Sequence, residues 1–259
     1  MRRRWAARLA AACSLACLAW AGGCLAAAPP LHVLLVAVGD EQPVFDRFIT
    51  DLSRRLQALD VASLATASSS GAVGRKFDTP ADLYAAIRGL RAQRPGGCLV
   101  YLTGHGTRAG LSMPLAAAGG ASASASAPAA ERRYAALRVR DVQAALRDGC
   151  GDAPTVLVAS ACYSGVYLRP GIAGDDRIVL TAAAPDRTSF GCGNDETYTY
   201  YDGCFLRSLD GASTWQQLAG RTTACVAQLE RTLQPDSPRS NPQAFFGRRM
   251  RELPLPAAR

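Results

Sequence analysis

The 259-residue sequence predicts one α/β domain, a sandwich of helices around a mostly parallel sheet. Three observations point to that class. Short, mostly apolar runs recur at 31–38, 98–103, 155–161 and 177–183. Runs of this kind, bounded by Gly and Pro, are strands buried on both faces, as parallel strands are. Segments with apolar residues at helical spacing separate them, and alternation of strand and helix is the pattern of a layered α/β fold. No linker divides the chain, and its length suits one substantial core.

In order along the chain, Leu31–Val38 is the first strand, ended by Gly39 and Asp40. Phe45, Phe48, Ile49, Leu52, Leu56 and Leu59 then mark one face of a helix. A second strand is expected over 61–65, and the Ser/Gly-rich run 68–74 reads as a loop. Thr79 before Pro80 is a cap followed by proline in the first turn, opening a helix to about residue 93. The strand 98–103 stops at Gly104-His105-Gly106. Residues 116–130 are an Ala/Ser/Gly run too featureless to pack, expected to be a disordered loop. A short helix is predicted over 139–146, followed by the strand that ends at Ala161-Cys162 and another strand over 177–183. A long amphipathic helix over 213–233, capped by Ser213 or Asp210, and an edge strand over 242–247 complete the domain, which is expected to span 31–250.

Residues 1–24 have the layout of an export signal, with Arg2, Arg3, Arg4 and Arg8 preceding an uncharged stretch from Leu9 to Ala21. Gly22-Gly23-Cys24 resembles a lipoprotein cleavage site, which would leave Cys24 to carry a lipid and provide the only membrane contact. Cleavage near 26–28, with release as a soluble protein, is the other outcome. Removing those four arginines from the formal charge of +8 leaves +4. No basic run tracks a helix, so a nucleic-acid partner is not indicated. No Cys-x-x-Cys or His cluster suggests a metal, and neither a cofactor nor an oligomer is implied.

Chemistry is concentrated at two strand ends. In an open α/β sheet the ligand crevice lies beyond the carboxyl ends of the strands. His105 and Cys162 both sit there, and neighbouring parallel strands would bring a base to a thiol. The chain has one other histidine, His32, which opens the first strand at the opposite edge of the sheet. Cys162 is followed by Tyr-Ser-Gly, a loop that lets a thiol meet solvent, whereas a buried structural cysteine would be the plain alternative. Ser164 could serve a Ser/His hydrolase, but it lies past the strand end and lacks a Gly-x-Ser-x-Gly setting.

At these residues the chain resembles the caspase-like cysteine peptidases, and within them the legumain (asparaginyl endopeptidase, C13) family in its short bacterial form. The likeness continues through 179–192, Asp195-Glu196 and Thr199-Tyr200-Tyr201, and covers roughly 31–246. It implies a caspase-like α/β/α sandwich and hydrolysis of a polypeptide substrate through a Cys162–His105 dyad, with the backbone N–H groups of Cys162 and Gly106 holding the oxyanion. It also implies a pocket for the residue before the scissile bond (P1) made by Arg47, Ser189 and Asp202, and hence cleavage after Asn or Asp. Tyr163 stands where legumains of higher organisms carry an acidic residue, so part of that pocket differs. A catalytically silent exported binding module and a peptide ligase are the rival readings.

Five further cysteines remain for an exported chain, where disulfides are allowed. Cys192 and Cys204 flank a loop whose closure would contribute roughly 3 kcal/mol. Cys98 and Cys150 both precede the strands of the site and are a second candidate pair, and Cys225 reads as a core thiol.

Overall fold

The computed structural model describes residues 29–39, 42–93, 96–115, 133–193 and 195–259. The expected export signal at 1–24, Cys24 and the Ala/Ser run at 116–130 lie outside them.

Seven strands form the main sheet. β1 (Leu31–Val38), β2 (Ser63–Ser68), β3 (Arg75–Lys76), β4 (Gly97–Gly104), β8 (Thr155–Ser160), β9 (Arg177–Thr181) and β10 (Gln243–Phe246) lie in the order β10-β9-β8-β4-β1-β2-β3. All neighbours are parallel except β10, which runs antiparallel along the β9 edge. β1, β4 and β8 are buried along their whole length, as their mostly apolar runs require.

Strand periodicity of two divides the core. Val33, Leu35, Val156 and Val158 face one layer, built by α1 (Pro43–Gln57), α4 (Tyr200–Ser208) and α5 (Trp215–Leu233). Leu34, Val36, Leu157 and Ala159 face the other, built by α2 (Pro80–Gly89) and α3 (Val139–Cys150). The α1 stripe is the one expected, with Phe45, Phe48, Ile49, Leu52 and Leu56 all buried. At the start of α2, the Thr79 hydroxyl accepts from the Asp82 amide while the Asp82 carboxylate accepts from the Thr79 amide, closing a capping box.

Several elements differ from expectation. α5 is capped by Thr214, whose hydroxyl accepts from the Gln217 amide, rather than by Ser213 or Asp210. α4 has no apolar stripe for sequence reading to find, because almost all of it is buried, including Asp202 and Gly203. A small antiparallel sheet of β5 (Gly106–Thr107), β6 (Gly110–Pro114) and β7 (Tyr134–Arg138) flanks the Ala/Ser run. The packed unit also extends past 250: Leu253 and Leu255 lie against the core, and Asp60 N–H donates to the Ala257 carbonyl.

Disulfides join Cys98 to Cys150 and Cys204 to Cys225. The first was expected, although Cys150 ends helix α3 instead of standing in a neighbouring strand. The second corrects the Cys192–Cys204 pairing and the reading of Cys225 as a thiol. α4 and α5 pack side by side, which brings the Cys204 and Cys225 Cα atoms to 5.7 Å. Cys192 remains a thiol on the loop before α4.

Candidate active site

β4 and β8 are hydrogen-bonded neighbours with Thr103 opposite Ser160. Carried two residues further, that register sets His105 level with Cys162 at the carboxyl rim of the sheet. Both are half-buried. The next residue, Tyr163, adopts a left-handed conformation (φ 57°, ψ 13°), unusual for a residue with a Cβ. Its amide donates to the Arg187 carbonyl at 2.7 Å, and the Arg108 guanidinium lies over its ring at 5.6 Å. The chain therefore turns sharply at the strand end, and the thiol is left at the surface of the crevice. The Ser189 amide donates to the Cys162 sulfur at 3.3 Å, and the Ser189 hydroxyl is 3.7 Å away.

The imidazole is held from α1. Phe45 meets the His105 ring edge-on, with centroids 5.3 Å apart, and Nε2 lies 2.7 Å from the Gln42 amide oxygen. With the amide oxygen as acceptor, this contact favours the tautomer in which Nε2 donates and Nδ1 is left as the basic nitrogen. Sequence reading missed Gln42. Its one signal is position, at the junction where β1 gives way to α1 beside the end of β4.

Gly106 is required by packing. A Cβ there would stand 2.0 Å from the Cys162 carbonyl oxygen and 2.9 Å from the Ala161 Cβ. Only a glycine lets the chain after His105 lie against the chain at Cys162. Ser164, by contrast, is buried and its hydroxyl accepts from the Ala183 amide, so it holds the loop in place and does not face the crevice. His32 is also structural: Nδ1 lies 2.8 Å from the Ser63 hydroxyl at the amino end of β1.

The pocket residues are less closely gathered. Ser189 touches the sulfur. Arg47 lies on the exposed side of α1 and donates to the carbonyls of Glu196 and Thr197, at 3.2 and 3.1 Å, which anchors the segment between Ser189 and α4.

Asp202 does not meet the crevice, which corrects its assignment to substrate binding. It has no exposed surface, and its carboxyl accepts from Tyr101 at 2.8 Å and Thr103 at 2.6 Å. Burial, the largest influence, pushes that carboxyl above the usual range, against the opposing hydrogen bonds of Ser160, Thr103, Tyr101 and Thr199. Thr103 is two residues before His105 and Ser160 two before Cys162, so Asp202 braces the ends of both strands from beneath. Asp202→Ala should cost about 3 kcal/mol in denaturant unfolding, since it leaves buried hydroxyls unpaired. A raised carboxyl contributes stability that is fully present below about pH 4, the ordinary aspartate range, and lost as pH rises through its folded-state pKa. Asp202→Asn, which cannot ionise, should remove that limb of the stability profile. An unchanged profile would show that Asp202 does not titrate in this window.

Cys192 also belongs to the site's surroundings. Burial first, and then the nearby Cys162, hold its thiol above the usual value.

The peptidase C13 family model matches residues 90–225. Among solved structures, the chain is similar to the crystal structure of caspase-1 from Spodoptera frugiperda, with a TM-score of 0.53 and 14% identity over 85% of this chain and 86% of that one. At that identity the likeness shows the fold, and the fold is the caspase-like α/β/α sandwich that the sequence resemblance implies. No curated protein matches the chain.

Proposed function

The chain belongs to the peptidase C13 family, and from that membership we propose that it is a cysteine endopeptidase acting through Cys162 and His105. The observation that supports the proposal is that His105 and Cys162 each follow closely on the ends of β4 and β8, which are hydrogen-bonded neighbours with Thr103 opposite Ser160. His105 takes the Cys162 proton, and the thiolate attacks the scissile carbonyl. The amides of Cys162 and Gly106 hold the oxyanion as the tetrahedral intermediate forms. Its collapse forms a thioester and breaks the peptide C–N bond, with His105 returning the proton to the leaving amine. Water then hydrolyses the thioester.

Specificity is assigned to Arg47 and Ser189. A guanidinium donates several hydrogen bonds to an amide or carboxyl oxygen, and a hydroxyl can donate or accept beside it. Such a pocket leaves its polar groups unpaired against an apolar side chain. Profiling of P1 with a peptide library should therefore show cleavage after Asn, with Asp tolerated at acidic pH where its carboxyl is neutral. Arg47→Ala should lower kcat/KM for the preferred peptide about tenfold or more while a small alkylator still labels Cys162. Preference for Arg, Lys or Leu, indifferent to Arg47→Ala, would reject this pocket.

Residues 1–24 are proposed to direct export, on the strength of their basic start and short apolar stretch. Mass spectrometry of the mature N-terminus should find a lipid-modified Cys24. An unmodified end near 26–28 would keep export and dismiss the lipid, and an intact Met1 would dismiss both.

A further inference from the structure

Beside the crevice lies a cleft of about 580 Å³ that the dyad chemistry does not use. Thr223, Ala227 and Arg231, spaced by four along one face of α5, form one wall. Two of these are small, which leaves room for a side chain. Arg239 and Pro242, on the segment between α5 and β10, form the opposite wall, and Arg187 joins from the loop after β9. These walls are tied to the nucleophile's own turn. The Arg187 carbonyl accepts from the amide of Tyr163, next to Cys162, and the Ala184 amide donates to the Ser240 carbonyl at 2.9 Å. A lining residue of the cleft is therefore hydrogen-bonded directly to the residue that follows Cys162.

The cleft is positively charged. Among the described residues Arg187 is ion-paired with its neighbour Asp186, at 3.3 Å, and both are exposed. Neither Arg231 nor Arg239 is ion-paired among the described residues, and Arg239 is steadied by donating to the Gln234 carbonyl at 3.1 Å. The lining's one carboxylate, Glu230, is buried, and its Oε1 accepts from the amide and hydroxyl of Ser240. Glu230 thus braces the wall that carries Arg239, and three guanidinium groups outnumber it.

We propose that this cleft is a subsite for an acidic side chain of the polypeptide substrate, close to the scissile residue. Arginine forks recognise a carboxylate through paired charge-assisted hydrogen bonds. The proposal rests on the peptidase reading and adds to it a second specificity element, independent of Arg47 and Ser189.

The test uses fluorogenic peptides with a constant scissile residue, in which Asp or Glu is scanned along the flanking positions against Asn or Gln. At one position the acidic peptide should be cut about tenfold more efficiently, equivalent to about 1.4 kcal/mol. The Arg231→Gln/Arg239→Gln double variant should lose that preference and keep the wild-type kcat/KM for the neutral peptide. Equal cleavage of acidic and neutral peptides at every position, or a preference that survives the double variant, would overturn the subsite. If wild-type protein cuts none of the peptides, the peptidase reading falls. The cleft is then judged by binding of the same peptides to the Cys162→Ala protein. There, tighter binding of an acidic peptide that the double variant abolishes sustains recognition, and equal binding ends it.

Discussion

Cys162→Ala should abolish peptide hydrolysis, with a fall in kcat of at least about 10³-fold and no labelling by a peptidyl thiol-reactive probe. The protein should stay folded, because Cys162 is half-exposed and belongs to neither disulfide. His105→Ala should be nearly as damaging, and the double variant little worse than either single one, since a nucleophile and its base act as a unit. Gln42→Ala should cost less, because the amide holds the ring and is neither the nucleophile nor the base. Ser164→Ala provides the contrast. Its hydroxyl satisfies a buried amide, so its loss should reduce stability by about 1 kcal/mol and leave the chemistry intact. Should Cys162→Ala retain full activity and Ser164→Ala lose it, the thiol mechanism would give way to a serine one.

Gly106→Ala should lower kcat/KM at least about 10²-fold, the scale expected when reacting groups are displaced by about 1 Å. The atoms a new Cβ would meet are backbone at Cys162 and a β-carbon at Ala161, and neither can swing aside. The segment carrying His105 must therefore move away from the one carrying Cys162. The same clash should appear as a lower melting temperature. Wild-type activity in Gly106→Ala would mean that the two strand ends tolerate separation and that their close approach does not matter for catalysis.

Much of this fold was legible in local sequence. β1, β4 and β8 are mostly apolar because both their faces are covered, and that burial is legible residue by residue. The α1 stripe and the Thr79-Pro80 start of α2 are likewise local signals. His105 and Cys162 could be found because each follows a strand that ends in small residues, and strand ends are where an α/β sheet exposes its chemistry.

Other features depend on which distant residues meet. Asp202 looked like a pocket residue, yet Tyr101 and Thr103, about a hundred positions earlier in the chain, enclose it. Nothing in the sequence around Asp202 announces those partners. Cys225 looked like a core thiol because its partner, Cys204, lies on a helix with no periodic stripe to betray it. Gln42 has no pattern at all, and only the approach of the β1–α1 junction to the end of β4 gives its amide something to hold. By itself the sequence determined the layered sheet and its helices and put His105 and Cys162 just past the ends of two strands, since periodicity and strand ends are properties of neighbours along the chain. Tertiary structure alone decided the Asp202 brace beneath the ends of β4 and β8, the second disulfide and the arginine-lined cleft, because each is a meeting of side chains that only the folded backbone brings together.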